Sequence, residues 1–326
     1  MTDIQPELSI LIVNWNTKAM TLACLESVMA QTREARFEVI LVDNGSTDGS
    51  VEAIARAFPI VRLIAESKNL GFAAANNIAA HKARGRYLLL LNSDTVVLNG
   101  AIDQLVAFAR RHPSAHIWGG RTIFTDGRLN PTSVWGRITG WSAVSFALGL
   151  RGLLPKSQFF NPEGLGGWPR DTVRRVDIIS GCFFLIERRF WEALGGFDPA
   201  FFMYGEEADL CARARTAGAT PMMAPKAVIV HHGGASAASH ASKIAYVMGA
   251  RIGVIRRHLS GPEREVARLA TIAHVALRAL GFGFAALLLP RRFAASAREW
   301  QRAWQGRAQW RSGPSGAAIP PMIGPN

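Results

Sequence analysis

Four short apolar runs punctuate the first hundred residues, and each stops at polar turn formers. Leu8–Val13 ends in Asn14–Trp15–Asn16, Phe37–Val42 in Asp43–Asn44–Gly45–Ser46, Ile60–Ile64 in Glu66–Ser67–Lys68–Asn69, and Tyr87–Leu91 in Asn92–Ser93–Asp94. Runs that are apolar at nearly every position, instead of every second one, belong to strands buried on both faces. Between them the apolar spacing becomes helical. Leu22, Leu25, Val28 and Met29 recur within residues 18–30, and Val51, Ile54, Ala55 and Phe58 within 50–58. Residues 71–83 are rich in alanine, and Ile102, Leu105, Val106 and Ala109 line one face of 100–111. This alternation predicts right-handed crossovers and an α/β fold with a mainly parallel central sheet flanked by helices. In such a sheet the strand C-termini share one edge. The Asn, Asp, Ser and Lys residues that end these runs are therefore expected to converge on one crevice.

Beyond residue 112 the pattern changes. Ile117–Thr125 and Arg128–Thr132, joined by Asp126–Gly127, predict a hairpin. Residues 133–172 read as irregular, with scattered aromatics including Trp135, Trp141, Phe146 and Trp168. A strand is expected at Val176–Ile186, a helix at 188–194 closed by Gly195–Gly196, and another at Glu206–Ala217. Ala227–Val230 predicts a last strand running into His231–His232–Gly233–Gly234. Residues 241–306 read as mostly helical, and 312–326 as a frayed, Gly/Pro/Ser-rich end. The expected organisation is a catalytic domain over 1–240, with halves 1–112 and 113–240. A basic amphipathic helical extension over 241–311 and a flexible tail over 312–326 would follow.

Hydrophobic residues make up 49% of the 326 residues and charged ones 19%, which allows a sizeable core and excludes a wholly disordered chain. The formal net charge is +13, unevenly placed. Residues 1–250 carry 25 basic and 21 acidic side chains, whereas 251–326 carry 12 basic, all arginine, and only 3 acidic. Such a tail points to phosphate-bearing partners: anionic lipid, a lipid-linked diphosphate or nucleic acid. Three cysteines, Cys24, Cys182 and Cys211, with no CxxC spacing, support neither a disulfide framework nor a zinc site. Met1–Ser9 has no basic n-region, and the uncharged apolar stretches Ile138–Leu150 and Ala279–Pro290 fall short of a membrane span. A reducing, cytoplasmic setting is expected.

Two carboxylates, Asp43 and Asp94, follow buried strands. Each alone reads as a turn former. Together at one sheet edge they fit a nucleotide, with Asp43 toward base or ribose and Asp94 holding a hard divalent cation against a diphosphate. Neither GxGxxG nor GxxxxGK[ST] occurs, so dinucleotide and P-loop sites have no support. Glu206, Glu207 and Asp209 open a helix. Dipole compensation explains one acid there better than three, and a carboxylate at this place could serve as a general base. His231 and His232 precede Gly233–Gly234, where backbone can approach a ligand; a structural histidine is as good a reading on these residues alone.

With these residues in place the chain resembles family 2 glycosyltransferases of the GT-A fold, in the rhamnosyltransferase-like branch. The resemblance runs through LSILIVNWN (8–16), VILVDNGSTDGS (39–50), ESKNLGFAAANN (66–77), LLLLNSDT (88–95), the block 180–213 and VHHGGAS (230–236), about residues 8–250 in all. It implies an inverting, metal-dependent hexosyltransferase. By position, Asn16, Asp43, Lys68, Asn69, Asn76, Asn92, Ser93 and Asp94 would bind the nucleotide sugar. Asp94 and His231 would hold Mg²⁺ or Mn²⁺, and Glu207, with Glu206, would supply the base. Trp191, Phe197, Tyr204 and Asp209 would shape the acceptor side. Two departures stand out: the family's DxD is here Asn92–Ser93–Asp94, and its ED pair is Glu206–Glu207.

The resemblance further implies a donor such as dTDP-rhamnose, with a UDP-hexose as the alternative. The implied acceptor is a glycan or polyprenyl-diphosphate-linked saccharide of cell-surface polysaccharide synthesis. Val266, Leu269, Ala273, Leu277, Leu280 and Phe284 recur at near-heptad spacing among arginines. This predicts an amphipathic helix on the inner face of the cytoplasmic membrane, with Trp300, Trp304 and Trp310 as interface anchors. A non-catalytic basic protein binding membrane or nucleic acid is the reading from another class. It rests on charge alone, with no helix-turn-helix, RRM or finger signature, and no nucleic acid is expected as partner. A nucleotidyltransferase would carry glycine after the first strand, where Asn14–Lys18 has none.

Overall fold

The structure is a computed structural model that describes residues 5–233 and 240–315. The elements follow the chain as β1 (Leu8–Asn14), α1 (Lys18–Gln31), β2 (Phe37–Asp43), α2 (Ser50–Ala57), β3 (Arg62–Ala65), α3 (Phe72–His81), β4 (Tyr87–Asn92), β5 (Thr95–Val97), α4 (Ala101–Arg111) and β6 (Ile117–Ile123). Then come β7 (Val134–Trp135), α5 (Gly140–Ala147), α6 (Leu150–Leu153), β8 (Arg174–Arg175), β9 (Ile178–Ile179), β10 (Phe183–Glu187), α7 (Arg188–Leu194), α8 (Glu206–Thr216) and β11 (Met222–His231). Three helices close the described chain: α9 (His240–His258), α10 (Gly261–Leu288) and α11 (Pro290–Gln305).

The chain divides into two compact units. The first, residues 1–135, 169–198 and 210–236, holds one large mixed sheet in the order β3-β2-β1-β4-β10-β6-β11-β5, with β8 beside β11. β1 to β4 pair in parallel, as the unbroken apolar runs predict. Period two splits each run between two faces. Ile10, Ile12, Leu41, Leu89 and Leu91 pack with Cys24, Leu25 and Val28 of α1 and Ile102, Leu105 and Val106 of α4. Their neighbours Leu11, Ile40, Leu88 and Leu90 are equally buried on the other side. β10 enters antiparallel between β4 and β6, so the sheet is mixed on that side.

Three expectations change here. The strand expected at 176–186 is two pieces: β9 pairs with β7 in a separate two-stranded sheet, and β10 joins the main one. The break lies at Ser180–Cys182, where the Ser180 amide bonds the Ser133 carbonyl and the Cys182 carbonyl accepts the Asn92 amide. The expected hairpin makes its turn, with the Phe124 amide on the Arg128 carbonyl at 2.8 Å, but its return arm becomes a 3-10 turn at Pro131–Ser133 instead of a strand. The last strand starts five residues early, at Met222, because a register shift between Ala224 and Val228 absorbs Pro225.

The second unit comprises residues 136–168, 199–209 and 237–326. Residues 133–172, expected to be irregular, contain α5 and α6. α5 is opened by a reciprocal cap between Thr139 and Ser142. With Ser in place of Glu or Gln at the third position, that cap did not stand out in the sequence. Glu163 is buried between arginines and Ser142: Arg251 Nη1 donates to it at 2.6 Å, and the Ser142 hydroxyl at 2.6 Å. Burial would raise this carboxyl, but Arg251 holds it below its ordinary value. Trp310, expected as an interface anchor, is fully buried, with its indole N–H on the Ala303 carbonyl at 3.0 Å; Trp300 and Trp304 pack against the same cluster. The expected C-terminal fray over 312–326 lies outside the described residues from 316 onward.

Candidate functional site

In the first unit the polar strand ends bond to one another. Asn14, at the end of β1, is buried and central. Its amide donates to Asp43 Oδ2 at 2.6 Å and to the Ser46 hydroxyl at 3.1 Å. Its carbonyl oxygen accepts the Thr17 and Thr21 hydroxyls, each at 2.7 Å. Thr17 in turn meets the Ser93 hydroxyl at 3.0 Å, so the ends of β1, β2 and β4 are tied through Asn14 and Thr17. Asp43, also buried, accepts the Ser46 amide on its other oxygen at 2.9 Å. It shapes the loop after β2 as well as facing the crevice. Asn16 is exposed at a positive φ of 53°, and its side-chain oxygen takes the Thr47 amide at 2.7 Å.

The loops after β2 and β3 are likewise joined. Asn44 donates to Asn69 Oδ1 at 2.9 Å and accepts the Leu70 amide at 2.9 Å. Gly45, at φ +78°, lies so close to the Lys68 backbone that a Cβ would sit 2.8 Å from it. Only glycine fits there. Lys68 is exposed at this lip. Asn76 stands apart: it is buried in α3, donating to the Phe72 carbonyl of its own helix. Its neighbour Asn77 makes the long-range bonds, holding both the N–H and the C=O of Phe197 at 3.0 and 2.8 Å.

Asn92, Ser93 and Asp94 occupy the turn between β4 and β5, and β11 brings His231 opposite Thr95. His231 Nε2 lies 3.3 Å from Asp94 Oδ1 and 3.3 Å from Asn92 Nδ2. The Gly233 amide donates to Asp94 Oδ2 at 3.0 Å. Burial works against the imidazolium of His231, but the Cys182 side chain and the Asp94 carboxylate favour it, and its pKa is pushed up to about 10. Burial likewise works against the Asp94 carboxylate, and His231 with the Gly233 amide overcomes it, holding Asp94 below its ordinary value. Of the closing motif, residues 234–236 lie outside the described residues.

These groups suit a hard divalent cation that shares its shell with phosphate oxygens. Asp94 offers a carboxylate, while Asn92 Oδ1 and His231 Nδ1 are buried without a hydrogen-bond partner. The donor set is small, with no cluster of three His, Cys, Asp or Glu side chains among the described residues. That matches a cation completed by its substrate and not caged by protein. An imidazolium cannot be a ligand, so direct ligation by His231 would release its proton.

In the second unit, Glu206 and Glu207 begin α8 after Gly205, which has φ +85°. Their side chains share a hydrogen bond, and Oε2 of each is buried without any other partner. Burial pushes the Glu206 carboxyl well up, and the neighbouring Glu207 carboxylate adds to the rise; burial raises Glu207 as well. A proton is therefore held between them, and one oxygen on each stays open to a further partner. Asp209, one turn on, is buried against His258 Nε2 at 2.8 Å and Arg257 at 3.8 Å. It anchors the start of α8 to α9. Tyr204 is half-buried at φ 65°. Trp191 and Phe197, in the first unit, are buried in an edge-to-face pair at 4.9 Å, so they act on a ligand only through what they support.

Asn77 and Cys182 are the residues not anticipated, and no local signal marks them; Asn14 and Asn44 stand among the strand-end turn formers expected at the crevice, but with no role of their own.

Residues 9–168 match the family model described as Glycosyl transferase family 2. The chain is 30% identical over 234 residues to an O-antigen biosynthesis protein, RfbC, of Myxococcus xanthus, a match that covers 71% of this chain but 18% of that one. It is 29% identical over 249 residues to an N-acetylglucosaminyl-diphospho-decaprenol L-rhamnosyltransferase of Mycobacterium tuberculosis, covering 71% and 77%. Among solved structures, a mannosyltransferase of Pyrobaculum calidifontis in complex with GDP-Man and Mn²⁺ superposes with a TM-score of 0.58 at 17% identity, covering 94% of this chain and 88% of that one. GalNAc-T7 with UDP, GalNAc and Mn²⁺ superposes at 0.54 and 18% identity, covering 78% and 48%. The fold is that of GT-A glycosyltransferases.

Two outcomes follow from this geometry. Asn14→Ala strips Asp43 and two buried hydroxyls of their partner, and is expected to cost about 1–3 kcal/mol in urea denaturation. A cost near zero would remove Asn14 from its central place. The raised Glu206 and Glu207 hold protons in the folded chain that the unfolded chain gives up near pH 4.5. Folding stability contributed by the pair is therefore full below that pH and lost as pH rises through the raised values. Glu206→Gln removes this loss, so denaturation at stepped pH should show the variant gaining on the native chain above pH 4.5. A native chain that gains on the variant contradicts the shared proton.

Proposed function

From the match of residues 9–168 to the glycosyl transferase family 2 model, we propose that this chain is an inverting glycosyltransferase that moves a deoxyhexose from a nucleoside diphosphate to a saccharide hydroxyl. The observation that carries the reading is the chain of strand-end side chains from Asp43 through Asn14 and Thr17 to Ser93, at the sheet edge where open α/β sheets bind ligands. A dTDP-rhamnose donor and a polyprenyl-diphosphate-linked acceptor are favoured, because the Mycobacterium tuberculosis relative is named as a rhamnosyltransferase acting on a diphospho-decaprenol. The enzyme would work at the inner face of the cytoplasmic membrane, held peripherally by its arginine-rich helices.

In this reading Asp43, with Asn16, Lys68 and Asn69, receives the base and ribose. Asn92, Ser93 and Asp94 face the diphosphate, and His231, as the imidazolium, donates to it. Mg²⁺ or Mn²⁺, held by Asp94 with Asn92 and His231 beside it, would offset charge on the departing diphosphate. A carboxylate of the Glu206–Glu207 pair takes the proton of the acceptor hydroxyl. The new O–C1 bond forms as the bond from C1 to the phosphate oxygen breaks; the electron pair leaves with the nucleoside diphosphate, and the anomeric centre inverts. The pair must first shed its shared proton, so the active form is the fully ionised one.

The test is transfer from dTDP-rhamnose to a synthetic polyprenyl-diphosphate saccharide with Mn²⁺. Glu207→Gln is expected to lower kcat by about 10²–10⁴-fold with donor binding kept, and Asp94→Ala to weaken donor binding itself. Full activity in both variants would overturn the mechanism.

A further inference from the structure

α10 is apolar on two sides. One side is buried: Ala267, Thr271, His274 and Val275 face inward, with His274 stacked on Phe146 at 3.9 Å and edge-on to Trp300. The other side is an exposed stripe. Val266 and Leu269 begin it, and Leu277, Leu280, Phe284 and Leu287 continue it at helical spacing. Leu280 and Leu287 are 71% and 81% exposed. Over about 20 residues the stripe extends some 30 Å at 1.5 Å per residue. The outward side of a helix in water carries polar residues; from Leu280 to the end of α10 this one carries none.

The stripe has a neighbour. Contacts step in the same direction along α5 and α10: the Gly140 amide bonds Glu263 at 2.9 Å, the Phe146 carbonyl meets His274 at 3.2 Å, and a Cβ at Gly149 would lie 3.7 Å from Arg278. The two chain segments therefore run side by side, and continuing them brings α6 toward the far end of α10. There Leu153 is 75% exposed, among exposed Arg151 and Lys156, before the chain turns back to pack Phe159 against Trp141 at 4.8 Å beside the start of α5. Arg291 and Arg292, also exposed, follow directly on the end of the stripe.

Resting on the reading of this chain as a membrane-associated transferase, we propose that the outward stripe of α10 and the 148–156 segment form one docking face for an anionic lipid bilayer. The helix would lie in the interface and not cross it. The charge decides the occupant. Of the twelve arginines from 251 onward, Arg251, Arg257, Arg268 and Arg302 are paired with carboxylates of the chain. Arg291 and Arg292 border the apolar stripe with no acidic residue between them and Phe284, a disposition that complements anionic headgroups. By length and composition α10 could span a membrane, with 22% of its most apolar window buried. Arg278 interrupts the uncharged run, so the sequence alone had not shown this. Its contacts argue against crossing: Glu263 is committed to the Gly140 amide and His274 to the Phe146 carbonyl, and a span would expose both to lipid.

The experiment is flotation of the purified full chain with phosphatidylcholine vesicles, with and without phosphatidylglycerol. Three variants are compared: Leu280→Asn/Phe284→Asn/Leu287→Asn, Leu153→Asn/Leu154→Asn, and Arg291→Gln/Arg292→Gln. All these positions are exposed, and dTDP binding with Mn²⁺, measured by calorimetry, reports that each variant is folded. The native chain should float with anionic vesicles and be stripped by carbonate wash. The triple variant should lose about tenfold or more in partitioning, and the other two should weaken it in a salt-dependent way. Flotation unchanged in the triple variant overturns the proposal. So does resistance to carbonate, which means a span, or loss of self-association without vesicle binding, which assigns the face to a second copy. A chain that floats but transfers no sugar leaves this face standing and overturns the transferase reading; one that transfers to a water-soluble acceptor but never floats does the reverse.

Discussion

Strands buried on both faces cannot hand their polar ends to solvent one by one. In this chain β1, β2 and β4 finish together at one edge, and the asparagine, aspartate and serine at their ends have to satisfy each other. Asn14 does most of this, tying Asp43, Ser46, Thr17 and Thr21 with its two amide atoms, and Thr17 passes the connection to Ser93. The network fixes the loops that a nucleotide would meet. It is a structural necessity of the parallel sheet before it is a binding site, and the function proposed for it depends on that rigidity.

Buried carboxylates are used in two opposite ways. Asp94 is paired with a cation-forming side chain and keeps its charge in spite of burial. Glu206 and Glu207 are paired with each other, and burial makes them hold a proton. The first arrangement suits an electrostatic partner for phosphate or metal. The second suits a group that must take up and give back a proton. The departure of this chain from an aspartate at both places, with Asn92 in one motif and Glu207 in the other, falls within this division of roles.

Much of the first unit was legible from the sequence. The apolar runs gave β1 to β4 within two residues at each start, and the turn formers behind them marked the crevice. What was not legible follows from physics that spacing does not carry. Val176–Ile186 reads as one strand because nothing in its composition shows that Ser180–Cys182 must turn to serve Ser133 and Asn92. Residues 140–147 lack the Glu or Gln of a familiar cap, and five of the eight are glycine, serine or aromatic, so tertiary packing, not propensity, makes them helical. Trp310 reads as an interface residue from its arginine neighbours, yet its ring fills the second unit's core. Asn76 and Asn77 are alike in sequence; only their phase on α3 sends one into its own helix and the other to Phe197.

The central claim, that the strand-end network receives a nucleoside diphosphate with a divalent cation, is tested most directly by calorimetry of dTDP, UDP and GDP binding to the purified chain, each with and without Mn²⁺. The account predicts binding of one of these nucleotides, dTDP first, that depends on the metal and is lost in Asp94→Asn. A folded chain that binds none of them, or binds equally well without metal and without the Asp94 carboxylate, would contradict it.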